Sequence, residues 1–340
     1  MNKQAIFDKK NVLVTGGAGF IGSHLCDELL KDSKVICLDD FSSGAEKNID
    51  HLLAESDFAF IKHDITKPIN LESMPELQKF KIQFQGIQEV YHLACPMSPK
   101  YFNENKIAIA LANSLGVKNA LDIAKKHNAK FMHFSSSVVY GYLEAKDRKV
   151  SENDFGPINT ISPRAVYDEG KRFAESLVDA YREAYKLDTK IVRLFRIYGP
   201  RMKLEDNQMI PDFISNALDN EDLIIYGDEN FSSSFCFISD CIDACVKLME
   251  SDYYKPINIG SDVEINLTIL ANKLIKMIES KSKIKYEKEH FFMKPLAIPD
   301  VTIARNELGW MPIVTIEKGL ESAIYEIRAN KGIKGVKEAL

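Results

Sequence analysis

A glycine-rich turn near the N-terminus constrains the fold of this 340-residue chain more than any other feature. The apolar run 10–15 leads directly into the sequence GGAGFIG at 16–22, and a helical pattern follows at 23–31. Glycines in this position allow a tight turn and let backbone N–H groups at the helix N-terminus approach a diphosphate. The turn therefore predicts a dinucleotide-binding βαβ unit. The expected ligand contacts within it are Gly16, Gly19, Phe20, Ile21 and Gly22.

Strand-like and helix-like segments alternate after this turn. The apolar runs of strand length lie at 34–38, 58–61, 89–93, 131–135 and 189–194, and the longest helical patterns lie at 107–126 and 168–185. Alternation of this kind is typical of parallel βαβ units. We therefore expect an α/β protein with a Rossmann-type doubly wound parallel sheet.

The regular alternation ends after Tyr198-Gly199-Pro200, where shorter and more mixed elements begin. We expect residues 1–198 to form the dinucleotide-binding domain, with 235–250 returning to it as a strand and a helix. Residues 199–234 and 251–340 are then a smaller C-terminal α/β lobe that binds the substrate.

Charge and composition exclude several classes of protein. The chain has 44 basic and 49 acidic side chains and no dense run of Lys or Arg, which argues against nucleic acid or a membrane surface as a partner. The segment 1–10 is polar, unlike a secretory signal, and we expect no membrane span and a cytoplasmic location. Six scattered cysteines lack metal-ligand spacing, so we expect reduced thiols and no metal.

Two acidic positions indicate which cofactor the turn binds. Asp39 and Asp40 follow the second strand at about the spacing from the glycines at which a carboxylate accepts the ribose hydroxyls. A carboxylate there repels a 2′-phosphate, so NAD is favoured over NADP. Asp64 and Ile65 follow the third strand, where they either meet the adenine ring or simply cap a turn.

A second group of residues is suited to oxidising an alcohol. Tyr167 and Lys171 are spaced i, i+4 on a helix, and Ser136 ends an apolar strand. A phenol acts as a base near neutral pH only if its anion is stabilised, and the Lys171 ammonium together with an oxidised nicotinamide would do this. Tyr167 then accepts the hydroxyl proton while Ser136 orients the same hydroxyl.

These residues resemble the extended short-chain dehydrogenase/reductase superfamily, the NAD-dependent epimerase/dehydratase family. Within it, the segments 92–99, 162–172, 198–202 and 308–310 are most similar to UDP-glucuronate decarboxylases. The resemblance implies oxidation at C4 of a nucleotide sugar, loss of CO₂ and return of the hydride. It also implies a base-binding role for 209–218 and 223–227. Further implied contacts are Leu93 and Ala94 to the cofactor, and Pro96, Ser137, Arg201 and Tyr226 to the substrate.

The chain departs from the family pattern at four positions. Val138 replaces a glutamate, which argues against 4,6-dehydration because valine transfers no proton. Ser233 and Ala297 stand where the family has substrate-contacting arginines. Conversely, Arg196 replaces an asparagine. We expect it to contact the phosphates or a carboxylate of the substrate, unless it pairs with a structural acid.

Three functions remain open at this stage. The first is a UDP-glucuronate decarboxylase-like enzyme. The second is a C4 epimerase or 4-oxidase/reductase of another activated sugar, which suits Val138. The third is a non-catalytic NAD-binding sensor or scaffold, against which the intact Ser136, Tyr167 and Lys171 argue. Apolar positions on the helices 107–126 and 168–185 further predict a homodimer.

Overall fold

The computed structural model describes residues 9–141, 149–288 and 297–338, so part of the polar segment 1–10 lies outside it. Its strands are β1 (Lys10–Thr15), β2 (Ser33–Asp39), β3 (Phe58–Lys62), β4 (Glu89–His92), β5 (Lys130–Ser136), β6 (Thr189–Leu194), β7 (Ile197–Tyr198), β8 (Leu223–Tyr226), β9 (Ser232–Ser233), β10 (Cys236–Phe237), β11 (Ile257–Ile259), β12 (Ile265–Asn266) and β13 (Ile284–Glu287). Its α-helices are α1 (Phe20–Leu29), α2 (Ile82–Gln85), α3 (Phe102–Leu111), α4 (Val117–His127), α5 (Ala165–Tyr185), α6 (Met209–Asp219), α7 (Ile238–Glu250), α8 (Leu267–Ile278), α9 (Thr302–Leu308) and α10 (Ile316–Glu338).

A seven-stranded parallel sheet in the order β11-β6-β5-β4-β1-β2-β3 forms the centre of the molecule. Its strands are apolar because both faces are covered, and Val12, Leu13 and Val14 of β1 are fully buried. Helices α1 and α7 pack on one face, and α4 and α5 pack on the other. The predicted doubly wound α/β fold is confirmed.

The carboxyl ends of these parallel strands meet at one edge of the sheet, which is where such folds bind ligands. The loop after β1, the ends of β2, β4 and β5, and the start of α5 all reach this edge. The fold therefore brings the predicted cofactor and chemical residues to one place.

A separate core forms the smaller lobe. Helices α6, α8 and α10 pack around the parallel pair β8 and β13, with Ile214, Leu274 and Leu320 fully buried among them. This core lies beside the carboxyl edge of the main sheet, because Asn330 of α10 and the segment 201–204 line the cavity at that edge.

The order of the strands refines the expected lobe boundary. Strand β11 pairs with β6 in the main sheet, and α9 packs against β11, although both fall in the range 251–340 that we expected to lie in the smaller lobe. We therefore propose that the chain returns to the first lobe at 257–259 and 302–308 as well as at 235–250.

One helical stretch, Phe102–His127, is long and apolar enough by length and composition to cross a membrane, contrary to the expectation that no segment would be. It consists of α3, a π-helical turn at Ala112–Gly116 and α4, and it packs against α5. Buried helices of globular cores pass the same test, so this stretch is weak evidence for a membrane span.

Candidate active site

A cavity of about 920 Å³ lies at the carboxyl edge of the main sheet. It extends from the glycine turn, past the ends of β2, β4 and β5, to the start of α5. The cavity brings together most of the residues predicted from sequence: Gly16, Gly19, Phe20, Ile21, Gly22, Asp39, Asp40, Asp64, Ile65, Leu93, Ala94, Pro96, Ser136, Tyr167, Lys171, Arg196 and Arg201.

The glycine turn is packed too closely against neighbouring backbone to accommodate side chains. Gly16 has φ +75°, and a Cβ there would lie 2.8 Å from the backbone nitrogen of Ala94. A Cβ on Gly22 would lie 2.2 Å from the backbone oxygen of Gly16. No acidic side chain occupies the first turn of α1, so its positive end is not neutralised from within the helix. This turn fits the diphosphate of a dinucleotide.

Asp39 is held in place by backbone groups at the end of β2. Its Oδ2 atom accepts a hydrogen bond from the Ala18 N–H at 3.0 Å, and its Oδ1 atom accepts one from the Phe41 N–H at 2.8 Å. Burial raises the pKa of this carboxyl group. The Asp39 carboxylate is thus fixed at the cavity wall. Its remaining lone pairs can accept hydrogen bonds from ribose hydroxyls.

Asp64 is another acidic residue that the sequence predicted at the cofactor site. Asp64 lines the cavity and also caps a turn, because its Oδ1 atom accepts hydrogen bonds from the backbone N–H and the hydroxyl of Thr66 at 2.8 and 2.7 Å. The turn holds Ile65 beside it on the same wall.

The chemical residues meet at the start of α5. This helix begins at Ala165, so Tyr167 and Lys171 lie in its first two turns and face the same cavity. The Lys171 Nζ atom lies 5.9 Å from the centre of the Tyr167 ring. The Ser136 side chain, at the end of β5, is hydrogen-bonded to Tyr167.

The pKa of Tyr167 differs from the expectation based on sequence. Burial raises the pKa of the Tyr167 phenol, and the hydrogen bond from Ser136 only partly opposes this. Burial also lowers the pKa of Lys171. Desolvation is the largest influence on Tyr167, and Lys171 is not among the groups that lower its pKa, contrary to the expectation. The positive charge of an oxidised nicotinamide is the group that would offset this burial.

A buried polar network under α5 was missed by the sequence reasoning. Arg193 of β6 makes a two-pronged ion pair with Glu175, with Nε and NH2 at 2.9 and 2.7 Å from the two carboxylate oxygens. The Ser135 hydroxyl donates to the same carboxylate at 2.6 Å. Two features of the sequence could have indicated this network. Arg193 lies in a predicted strand that is mostly apolar, and Glu175 follows Lys171 by four residues on the same helix. This network ties α5 to the two strands beneath it.

Two arginines reach the cavity in different ways. Arg196 follows β6 with φ +30°, and burial together with the neighbouring Arg164 lowers its pKa to about 10. Arg201 also lines the cavity, but its NH2 atom lies 2.8 Å from Asp27 of α1. Arg201 therefore joins the glycine-turn helix to the segment that enters the smaller lobe.

Two predicted substrate residues lie outside this cavity. Ser137 is nearly buried in a 3-10 turn (Ser137–Tyr140), because the strand ends one residue earlier. Tyr226 lines a neighbouring cavity of about 360 Å³ in the smaller lobe. The main cavity also contains residues that were not predicted: Cys95, Asn105, Asp206, Gln208 and Asn330. Cys95 lies within a motif that we singled out, whereas Asn330 comes from α10, far along the chain, and carries no local signal.

Known proteins are similar to this chain over most of its length. The model of the NAD-dependent epimerase/dehydratase family matches residues 12–260. UDP-glucuronic acid decarboxylase 1 of Xenopus tropicalis is 34% identical over 322 residues, which cover 94% of this chain and 73% of that protein. UDP-glucuronic acid decarboxylase 4 of Arabidopsis thaliana is 35% identical over 318 residues, covering 93% and 68%.

A solved structure is also similar to this chain in fold. UDP-glucuronic acid 4-epimerase from Bacillus cereus, in complex with UDP-glucuronic acid and NAD, superposes with a TM-score of 0.80 at 29% identity, over 94% of this chain and 99% of that one. The cavity described above has the features that NAD requires: a glycine turn, a fixed carboxylate and a tyrosine-lysine pair. The chain belongs to the NAD-dependent epimerase/dehydratase family and is an NAD-dependent enzyme that modifies nucleotide sugars.

Proposed function

We propose that this enzyme oxidises the C4 hydroxyl of a UDP-linked hexuronic acid and releases its carboxylate as CO₂. The observation that carries the proposal is the meeting of Ser136, Tyr167 and Lys171 at the end of a cavity that begins at the glycine turn. The relatives named UDP-glucuronic acid decarboxylase support this choice of substrate.

The three side chains have separate tasks in this reaction. Tyr167 accepts the proton of the C4 hydroxyl, Ser136 orients that hydroxyl, and Lys171 favours the phenolate by its charge. NAD, held by the glycine turn and Asp39, would supply the hydride acceptor and donor for C4. The C4 carbonyl accepts the electron pair of the C5–C6 bond as CO₂ leaves, and a proton then adds to C5. Tyr167 finally returns its proton to the C4 oxygen.

Val138 is compatible with this sequence of steps. Breaking the C5–C6 bond of a β-keto acid releases CO₂ without removal of a C5 proton, so no carboxylate is required at this position. A 4,6-dehydration does require such a group, and Val138 is a nearly buried side chain in the 3-10 turn after Ser136. Dehydration is therefore disfavoured.

Epimerisation at C4 is the second candidate reaction. It is also compatible with Val138. An epimerase needs only the oxidation and the return of the hydride to the opposite face of the ring. The structural likeness to the 4-epimerase from Bacillus cereus supports this alternative.

The substrate carboxylate has a candidate partner in Arg196. This guanidinium lines the same cavity as Tyr167 and lies close enough to Arg164 for the two charges to interact. A guanidinium group on the cavity wall creates a positive potential that favours an anionic substituent. We propose that Arg196 contacts the carboxylate or the diphosphate of the substrate.

We also propose a cytoplasmic homodimer. Ile107, Leu115 and Phe173 are 74%, 47% and 53% exposed on α3, the π-helical turn and α5. A second copy of the chain would cover these apolar side chains by pairing the same helices. Light scattering of the purified protein measures this directly, and a monomer at micromolar concentration would refute it.

Incubation with NAD and a panel of nucleotide sugars, read by mass spectrometry, tests the proposed reaction. We expect UDP-glucuronic acid to lose CO₂ and yield a UDP-pentose. An isomer of unchanged mass would support the epimerase instead. No conversion of any nucleotide sugar would contradict both.

A further inference from the structure

Ser135 is the serine at the end of β5 to which the proposed reaction gives no task. It follows Phe134, whose carbonyl oxygen accepts the hydrogen bond from Lys171. It precedes Ser136, whose side chain is hydrogen-bonded to Tyr167. Ser135 itself is only 3% exposed. A displacement of this one buried residue would therefore move both of its neighbours.

The Ser135 hydroxyl connects this strand end to helix α5. It donates a 2.6 Å hydrogen bond to the Oε1 atom of Glu175. Glu175 follows Lys171 by four residues on α5, so the two side chains lie on the same face of the helix. Two hydrogen bonds thus cross between one helix face and two adjacent strand residues. They run in opposite directions, since Lys171 donates to the strand while the strand donates to Glu175.

The Glu175 carboxylate is also held from the neighbouring strand. Arg193 of β6 donates to both of its oxygens at 2.9 and 2.7 Å, and both side chains of this pair are nearly buried. Charge-assisted, two-pronged contacts of this kind are strong and fix orientation. Arg193 lies directly opposite Ser135 in the pairing of β6 with β5. The acceptor of the Ser135 hydrogen bond therefore has a position that is fixed relative to the sheet as well as to α5.

We propose that Ser135 is a positioning residue for the oxidation step: through Glu175, its hydroxyl fixes the end of β5 against α5 and thereby holds Ser136 at Tyr167. The inference rests on the proposed roles of Ser136, Tyr167 and Lys171. A single hydrogen bond at Lys171 leaves the strand end able to pivot about that contact, whereas two contacts at adjacent residues do not. A misplacement of about 1 Å in a site of this kind costs up to about 10²-fold in rate.

Ser135→Ala removes the hydroxyl and leaves the ion pair between Arg193 and Glu175 in place. Steady-state kinetics with UDP-glucuronic acid and NAD should show kcat lower by about 10- to 100-fold. KM should stay within about threefold, because substrate binding does not use this contact. Ser135→Thr keeps the donor and should recover most of the lost kcat. Ser176→Ala is the matched control, since that exposed hydroxyl on α5 bonds within its own helix to the Arg172 carbonyl oxygen, and it should leave kcat and KM unchanged.

Fluorine NMR of protein labelled with fluorotyrosine reports the surroundings of Tyr167 without any substrate. The signal that is missing from Tyr167→Phe belongs to Tyr167. It should shift in Ser135→Ala and stay in place in Ser176→Ala. An unshifted signal in Ser135→Ala, or a kcat as high as that of Ser176→Ala, would overturn the inference alone. If the unaltered enzyme converts no UDP-glucuronic acid, the proposed reaction is contradicted, and the shift of the Tyr167 signal still decides the role of Ser135.

Discussion

The Nζ atom of Lys171 donates a 2.7 Å hydrogen bond to the backbone oxygen of Phe134. This contact joins the second turn of α5 to the carboxyl end of β5, two residues before Ser136. The ammonium group is thereby held at a fixed place between the strand and the Tyr167 ring. This contact fixes Lys171 relative to the end of the strand that carries Ser136.

Replacing Lys171 by Met removes the ammonium and keeps most of the side-chain volume. We expect turnover to fall by about 10²- to 10⁴-fold, as is typical for loss of acid-base assistance. The double variant Tyr167→Phe/Lys171→Met should lose no more than the larger of the two single losses, because the pair acts as a unit. Steady-state kinetics measures this, and multiplicative losses would contradict the shared role.

Glu175→Gln should destabilise the protein by about 3–5 kcal/mol, because it leaves the buried Arg193 guanidinium without its charged partner. Asp243→Asn is the control, since its ion pair with Lys247 is exposed and should contribute less than about 1 kcal/mol. Urea unfolding measures both variants. Similar small changes in the two would show that the buried network does not hold α5 in place.

Two buried histidines beside Lys171 predict loss of stability in acid. Burial and the Lys171 charge lower the pKa of His92 to about 3, and burial lowers the pKa of His133 well below its usual value. The unfolded chain then binds protons that the folded one does not, so stability present above pH ~6.5 is lost as the pH falls below it.

Each of these histidines should lower the free energy of unfolding by about 1 kcal/mol as the pH falls from ~6.5 to ~5.5. His133→Phe should remove its share of this pH dependence, which urea unfolding at the two pH values measures. Identical slopes for the unaltered protein and His133→Phe would mean that the buried His133 imidazole is protonated in the fold.

The sequence predicted the parts of this site that depend on local patterns. The glycine turn, the acid after β2 and the Tyr167–Lys171 spacing each need only a neighbouring strand or helix to be placed. Asn330 carries no such pattern, because the packing of α10 brings it to the main cavity from far along the chain. The resemblance implies a substrate contact for Ser137, but no local pattern shows that β5 ends at Ser136 and that Ser137 starts a 3-10 turn outside the main cavity.

Arg196→Ala should weaken nucleotide-sugar binding by about tenfold or more, the usual effect of losing a hydrogen bond to a charged group. Comparing UDP-glucuronic acid with UDP-glucose shows which group it meets. Loss for the acid alone indicates the carboxylate, and equal loss for both indicates the diphosphate. Unchanged dissociation constants for both sugars would assign Arg196 a purely structural role.

The central claim is that the hydride at C4 leaves the sugar and returns to it while CO₂ is lost. UDP-glucuronic acid carrying deuterium at C4, incubated with the enzyme and NAD and analysed by mass spectrometry, tests this most directly. The account predicts a UDP-pentose that retains the deuterium at C4, together with released CO₂, and no product from Tyr167→Phe. Loss of deuterium to solvent, or conversion without loss of CO₂, would contradict it.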